Sequence, residues 1–238
     1  MKEETAVENL REIKDIFDEN GVKFWLMLGT LLGAVRDGKI IEWDNDTDLG
    51  LWYNDVNRVI SVLSEFRSRG FEVRLNKAAM GGFSMVRRDC KTGFRLYRVS
   101  NGYAWSFEIM RKNKISKQLY SYLTTLVERI QVKTGRENFL RRTLMRVSSV
   151  LPLMLKQLLS YIRLLCDRRA FYNNDLIFSI VPKQYFEKLS TIKFYGMEFN
   201  IPSDVEEYLE YEYGKNWKTP TKNWIWTYLG EFNQNVSI

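Results

Sequence analysis

Three aspartates at alternate positions, Asp44, Asp46 and Asp48, run directly into the apolar stretch Leu49-Gly50-Leu51-Trp52. Side chains alternate across an extended strand, so Asp46 to Trp52 reads as a strand with its carboxylates on one side. Asp46 and Asp48 together can hold a divalent cation, and hard oxygen ligands suit Mg²⁺ or Mn²⁺. A calcium loop would need glycine at its sixth position and glutamate at its twelfth. Counted from Asp44, those positions hold Leu49 and Asp55, and the calcium-loop reading fails. Taken alone, the acidic run fits a solvated surface loop as well as a metal site.

Its upstream neighbourhood adds a second element. Lys23 to Leu28 is short, apolar and aromatic, as in a buried strand, and Gly29-Thr30 then opens a helical pattern that closes near Asp37-Gly38. Backbone N–H groups and a hydroxyl at a helix N-terminus make a phosphate cradle. A cradle beside paired aspartates is equipment for metal-assisted phosphoryl transfer. Composition narrows the chemistry further. The chain has 0 His, which excludes Ser-His-Asp and Cys-His catalysis and His-ligated zinc. Its 2 cysteines, Cys90 and Cys166, form no CxxC pair, so zinc ribbons and disulfide scaffolds are not expected.

The remaining periodicities describe an α+β chain. Val7, Leu10, Ile13, Ile16 and Phe17 fall on a helical stripe ended by Gly21, and Val56, Val59, Ile60, Leu63 and Phe66 on another, capped by Asn54 or Asp55 and ended by Gly70. Strands are expected at Phe71–Leu75, Phe83–Arg87, Phe94–Val99 and Tyr103–Met110, in a mostly antiparallel or mixed sheet. Thr191–Phe194 and Met197–Ile201 read as a hairpin. Ser203-Asp204-Val205-Glu206 is a capping-box pattern opening a helix that stops at Gly214. The expectation is a single domain over 1–238 with a helical, basic insertion at about 115–170.

The run from Leu31-Leu32-Gly33-Ala34-Val35-Arg36 to Trp43-Asp44-Asn45-Asp46-Thr47-Asp48 resembles the signature of the LicD family of phosphotransferases, which includes the fukutin-related proteins. Tyr208-Leu209-Glu210-Tyr211-Glu212-Tyr213-Gly214, with Trp217 and Pro220 after it, is similar to that family's C-terminal segment. Glu42 departs from the family, which usually carries proline before the tryptophan. The resemblance implies a nucleotidyltransferase-like mixed sheet flanked by helices, with two aspartates on one strand and a third acid on a neighbouring strand binding Mg²⁺ or Mn²⁺. Asp46 and Asp48 match the pair; Glu108, alone in an apolar strand where an unpaired charge is costly, is the choice for the third and for the base that deprotonates the acceptor. Gly29, Thr30, Arg36 and Lys39 are the candidates for substrate phosphate, with Arg36 also able to clamp an aspartate. Asp44 is read as a turn acid behind the pair, Trp43 as a packed aromatic that fixes the turn, and Tyr208, Tyr211 and Tyr213 as scaffold.

The same resemblance implies transfer of a phospho-alcohol, such as phosphocholine or ribitol phosphate, from a CDP-alcohol donor to a hydroxyl of a saccharide, polysaccharide or glycolipid. Two alternatives stand beside it: a nucleotidyltransferase releasing pyrophosphate from a nucleoside triphosphate, and a non-catalytic membrane-surface module. The formal net charge is +7, and between Lys133 and Arg169 nine basic residues face only Glu137 and Asp167. Within that stretch Phe139 to Cys166 is leucine-rich and interrupted by Arg146, Pro152, Lys156 and Arg163. It fits a basic amphipathic pair of helices on an anionic membrane, or helices packed on the core or on a second subunit. Nucleic acid is not expected as a partner. The charged N-terminal residues lead to no apolar signal core, so a cytoplasmic protein is expected, with peripheral contact at the inner membrane face as a possibility.

Overall fold

The computed structural model describes residues 2–74, 82–110, 126, 139–152, 154–155, 157–159, 161–162 and 176–222; at 107–110, 139–142, 145, 149 and 176–178 it describes the backbone alone. Helix α1 (Glu3–Glu19) buries Ala6, Leu10, Ile13, Ile16 and Phe17 along one stripe, as the 3.6-residue period requires. Strand β1 (Phe24–Leu26) is buried throughout. Helix α2 (Leu28–Arg36) follows, then β2 (Asp46–Trp52), with the bounds its alternation predicts.

The helix expected between Asn54 and Gly70 is instead a 3₁₀ turn (Tyr53–Asp55) and two short helices, α3 (Val56–Ser61) and α4 (Leu63–Ser68). The Ser61 hydroxyl donates to the Arg58 carbonyl at 2.7 Å just before the break, and such local bonds compete with helix hydrogen bonds. No side chain caps α3, because the Asp55 carboxylate takes Arg58 at 2.7 Å. Strands β3 (Glu72–Arg74), β4 (Gly82–Arg87), β5 (Cys90–Ser100) and β6 (Tyr103–Met110) come next. β5 starts earlier than its apolar run, at Cys90, because Cys90 to Arg95 pair with β4 and Lys91 to Tyr97 with β2.

Much of the expected insertion lies outside the described residues; within it α5 (Phe139–Val150) is helical. Strand β7 (Leu176–Pro182), not anticipated from the sequence, pairs with β6, and the short α6 (Gln184–Glu187) follows. The hairpin β8 (Leu189–Phe194) and β9 (Met197–Pro202) forms as expected, then α7 (Val205–Tyr213). No side chain caps α7: the Ser203 hydroxyl reaches Asp204 at 3.4 Å, so the capping box does not form.

The main sheet runs β1-β2-β5-β4-β3, with β6 and β7 extending from β5. Among the described strands β2 and β5 are the parallel pair; the rest are antiparallel. Register partners share a face. One face carries Phe24, Leu26, Leu49, Leu51, Phe83, Met85, Phe94 and Leu96, all buried. Phe17 of α1 and Phe66 of α4 pack into it, with Phe17 making edge contacts to Phe24, Phe66 and Phe94 at 5.4, 5.4 and 5.8 Å. The opposite face divides along its length. At one end Trp25, Trp52, Tyr97 and Phe186 form an aromatic cluster, with centroids 4.9 to 6.2 Å apart, that extends through Phe186 to Tyr208 of α7. At the other end of the same strands lie Asp46 and Asp48.

Gly50 sits at the seam. A Cβ there would stand 2.3 Å from Trp25 Nε1 and 2.5 Å from Met27 Sδ, so the ring can lie flat on β2 only over glycine. Gly50→Ala forces Trp25 out of this position, and overpacking of this kind costs about 1–3 kcal/mol. Urea unfolding monitored by circular dichroism should show the loss; an unchanged midpoint would contradict the packing described.

Candidate active site

Beyond the aromatic cluster the sheet face opens into a cavity of about 360 Å³. Its floor is the acidic end of β2 and the turn before it, with Asp44, Asp46 and Asp48 all lining it. One wall is the start of α2 with Leu28, Gly29, Leu32 and Arg36; the opposite wall is the segment after α7, from Tyr213 through Trp217 to Lys222. Leu28 opens α2 at φ +49°, a left-handed conformation costly for leucine and concentrated in proteins at functional sites.

Several contacts hold the acids in place. The Asp48 N–H donates to Thr30 Oγ1 at 2.9 Å, and the Met27 N–H to the Asp48 carbonyl at 3.1 Å. The Asp44 N–H donates to the Ile41 carbonyl at 2.9 Å. The Tyr195 hydroxyl, at the β8–β9 turn, accepts the Ile40 N–H at 2.9 Å and donates to Glu3. The hairpin thereby ties the loop before the acids to the N-terminal helix.

The parallel partner strand answers β2 rung by rung. Lys91 is opposite Asp46, Gly93 opposite Asp48 and Arg95 opposite Gly50. Lys91 Nζ donates to Asp46 Oδ2. A Cβ on Gly93 would lie 2.5 Å from Asp48 Oδ1, so glycine leaves that carboxylate its space. Burial raises the Asp48 pKa to about 7, and Asp46 adds to the rise, while Arg95 and Lys91 oppose it. Burial and then Asp46 raise Asp44 as well. Tyr213 is pushed well above its ordinary value, first by burial and then by Glu212, Asp48 and Asp44.

The site candidates from the sequence are distributed as follows. Asp46, Asp48, Gly29 and Arg36 line the cavity. Arg36 forks onto Asp37 at 2.8 and 2.7 Å rather than onto an acid of the ladder, and this bond raises its pKa. Thr30 is buried, with its hydroxyl oxygen occupied by the Asp48 N–H, so among the described contacts it positions β2. Lys39 is exposed in the turn after α2 and does not line the cavity. Glu108 lies in β6 where the register to β7 shifts between Phe107 and Ile109; its side chain is outside the described ones. One reading is corrected: Trp43 is 38% exposed on the cavity rim instead of packed; Asp44, bonded through its N–H to the Ile41 carbonyl in the turn, also lines the cavity. Of the tyrosines, Tyr208 bonds Glu212 at 3.0 Å and Tyr211 the Ile180 carbonyl at 2.8 Å, as scaffold, whereas Tyr213 faces the cavity.

Lys91, Gly93 and the wall from Asn216 to Lys222 were missed. The wall overlaps the Tyr-Gly-x-x-Trp run, which was a usable signal. Lys91 and Gly93 carry none without the register.

Among the described residues no three acids or cysteines converge into a closed metal cage. The donor set still fits Mg²⁺ or Mn²⁺. Asp46 and Asp48 line an open cavity from one strand, and both are oxygen donors. Mg²⁺ is commonly held by one or two carboxylates together with substrate phosphates.

Comparison with known proteins finds a family match over the same part of the chain. Residues 21–129, which include α2, the acid ladder and β5, match the model of the LicD/FKTN/FKRP nucleotidyltransferase domain. The likeness to LicD-type phosphotransferases is therefore shown over that segment. The human ribitol 5-phosphate transferase FKRP is 47% identical over 85 residues, 34% of this chain and 17% of FKRP. The human ribitol-5-phosphate transferase FKTN is 22% identical over 226 residues, 93% of this chain and 35% of FKTN. The chain spans less than half the length of the curated relatives it matches. A crystal structure of ANT(2'')-Ia with adenylyl-2''-tobramycin superposes with a TM-score of 0.33 and 14% identity, covering 69% of this chain and 98% of that one.

The raised Asp48 pKa makes a stability prediction for the metal-free protein. A carboxylate whose folded-state pKa lies above its unfolded value destabilises the fold when ionised: the penalty is absent below about pH 4, grows as pH rises, and is complete above about pH 7. Asp48→Asn removes it. In chelator at pH 8 the variant should be more stable by on the order of 1 kcal/mol, allowing for the solvent that still reaches this partly buried side chain, and the gain should vanish near pH 4. Denaturant titrations at the two pH values check this; a variant less stable at pH 8 would refute it.

Proposed function

We propose that the protein transfers a phospho-alcohol from a CDP-alcohol to a hydroxyl of a saccharide, polysaccharide or glycolipid, with Mg²⁺ or Mn²⁺ at Asp46 and Asp48. The observation that carries the reading is this carboxylate pair, side by side on β2 at the floor of the cavity, within the segment that matches the LicD/FKTN/FKRP domain. The names of FKRP and FKTN, ribitol phosphate transferases, favour the phospho-alcohol over a nucleotidyl group.

In the proposed reaction the acceptor oxygen forms a bond to the phosphorus bearing the alcohol. The bond from that phosphorus to the bridging oxygen breaks, and CMP leaves with the electron pair. The cation supplies charge stabilisation to the attacking and leaving oxygens. Asp46 and Asp48 hold it. Gly93 keeps the Asp48 carboxylate free to turn, and Thr30 fixes the backbone beneath it. Glu108 is proposed as the third acid and as the base that takes the acceptor proton, since the chain has 0 His. Gly29 and Arg36 are the proposed phosphate contacts on the α2 wall.

CMP release from CDP-ribitol, CDP-choline or CDP-glycerol that needs Mg²⁺ or Mn²⁺ tests the reading. Asp46→Asn or Asp48→Asn should each lower the rate by at least about a thousandfold, several kcal/mol of transition-state stabilisation, without unfolding the protein. Activity within a few-fold of wild type in either variant would sink the assignment. Release of pyrophosphate from CTP or ATP, with no CMP from a CDP-alcohol, would favour a nucleotidyltransferase.

The reading includes a contact between the basic segment and an anionic membrane surface. From α5 onward Val147, Val150, Met154, Leu155, Leu158, Tyr161 and Ile162 are exposed, with Val150 at 79% and Met154 at 82%. Val147 and Val150 close α5, and the others follow beyond Pro152. The surrounding sequence, nine cations against two acids between Lys133 and Arg169, favours anionic lipid as the occupant. Among the described residues no helix is long and apolar enough to cross a membrane. The triple variant Val150→Ser, Met154→Ser, Leu158→Ser should lose co-sedimentation with phosphatidylglycerol vesicles and keep its melting temperature, since these side chains pack on nothing described. No vesicle binding by the wild type, or a concentration-dependent dimer that the same changes dissociate, would assign these residues to a second copy instead.

A further inference from the structure

We propose that Lys91 is the resident counter-cation of the acid ladder, holding Asp46 while no divalent cation is bound and turning to the diphosphate of the incoming donor once that carboxylate is taken. The inference rests on the phosphotransfer reading above and extends it to a residue in β5.

The sheet itself places Lys91. Asp46 and Lys91 are direct partners in the parallel β2–β5 register, so both side chains leave the same face at the same rung. The Lys91 ammonium donates to Asp46 Oδ2, and the two side chains are 40% and 30% exposed. An ion pair between half-exposed groups contributes little to stability, so exchanging its partner costs little. Lysine suits such an exchange: its ammonium is a compact charge on a flexible stem, and it binds phosphate as a point charge. The other described cations near the ladder are placed differently, Lys222 on the wall after α7 with no acid of β2 opposite it in the sheet. Arg36 is forked onto Asp37. Arg95 stands two rungs further along, opposite Gly50, with Tyr97 within 3.4 Å.

Two consequences of opposite sign follow from one charge. In the free protein the ammonium competes with a divalent cation for Asp46, which weakens metal binding. With metal and donor present it faces the anionic diphosphate, which strengthens donor binding. A residue that merely stiffened the strand would move both affinities in the same direction, or neither.

Lys91→Met keeps the aliphatic stem and removes the charge. Mn²⁺ binding to the free protein, followed by electron paramagnetic resonance, should tighten by about three- to tenfold. CDP binding at saturating Mn²⁺, measured by calorimetry, should weaken by a similar factor. Lys91→Arg should lie near wild type in both, and melting temperatures should be unchanged. Any result in which the two constants do not move in opposite directions overturns the role of Lys91, including a joint loss with a lowered melting temperature. Wild-type protein that binds no Mn²⁺, or binds it equally after Asp46→Asn and Asp48→Asn, overturns the phosphotransfer reading and this inference with it. Wild type that binds Mn²⁺ through those aspartates but is indifferent at Lys91 overturns this inference alone.

Discussion

Parallel pairing of β2 with β5 sets most of what the site can do. On the buried face Thr47 and Thr92 stand opposite each other and share a hydroxyl hydrogen bond of 2.8 Å. Both are fully buried, and neither hydroxyl has water to fall back on. A slip of one residue would break that bond and turn every side chain of β2 to the other face. With the register so fixed, Asp46 meets Lys91, Asp48 meets a glycine, and Gly50 lies under Trp25. Charge neutralisation and room for a carboxylate come from this alignment, and the flat seat for the indole from the pairing of β1 with the same strand.

The acids occupy one end of a face whose other end is sealed by aromatic rings. Trp25, Trp52, Tyr97 and Phe186 exclude water from the rear of the sheet. At the acidic end, burial is the largest cause of the raised Asp48 pKa, followed by Asp46. Ionising Asp48 here costs more than at a surface, because burial and Asp46 both oppose its charge.

Distant segments finish the cavity. The β8–β9 turn reaches the loop before the acids through Tyr195 and Ile40, and the segment after α7 supplies the wall facing Gly29 and Arg36. The wall stands where it does because Tyr208 is buried against Tyr185 and Phe186, fixing α7 over the aromatic cluster.

What the sequence determined by itself was local. The alternation of Asp46 to Trp52 marked β2 with its observed bounds, and the stripe from Val7 to Phe17 marked α1, because period and burial act over a few residues. The motif from Leu31 to Asp48 pointed to the acid pair, since its chemistry lies within one turn and one strand. Tertiary structure decided the rest. The sequence gives Lys91 no partner until β5 is aligned with β2, and that the turn residues Trp43 and Asp44 line a cavity depends on α2 and the segment after α7. β7 was missed because its place depends on β6, far away in sequence. Which carboxylate meets which cation depends on strand register and on what covers the sheet, and neither is a property of a short stretch of chain.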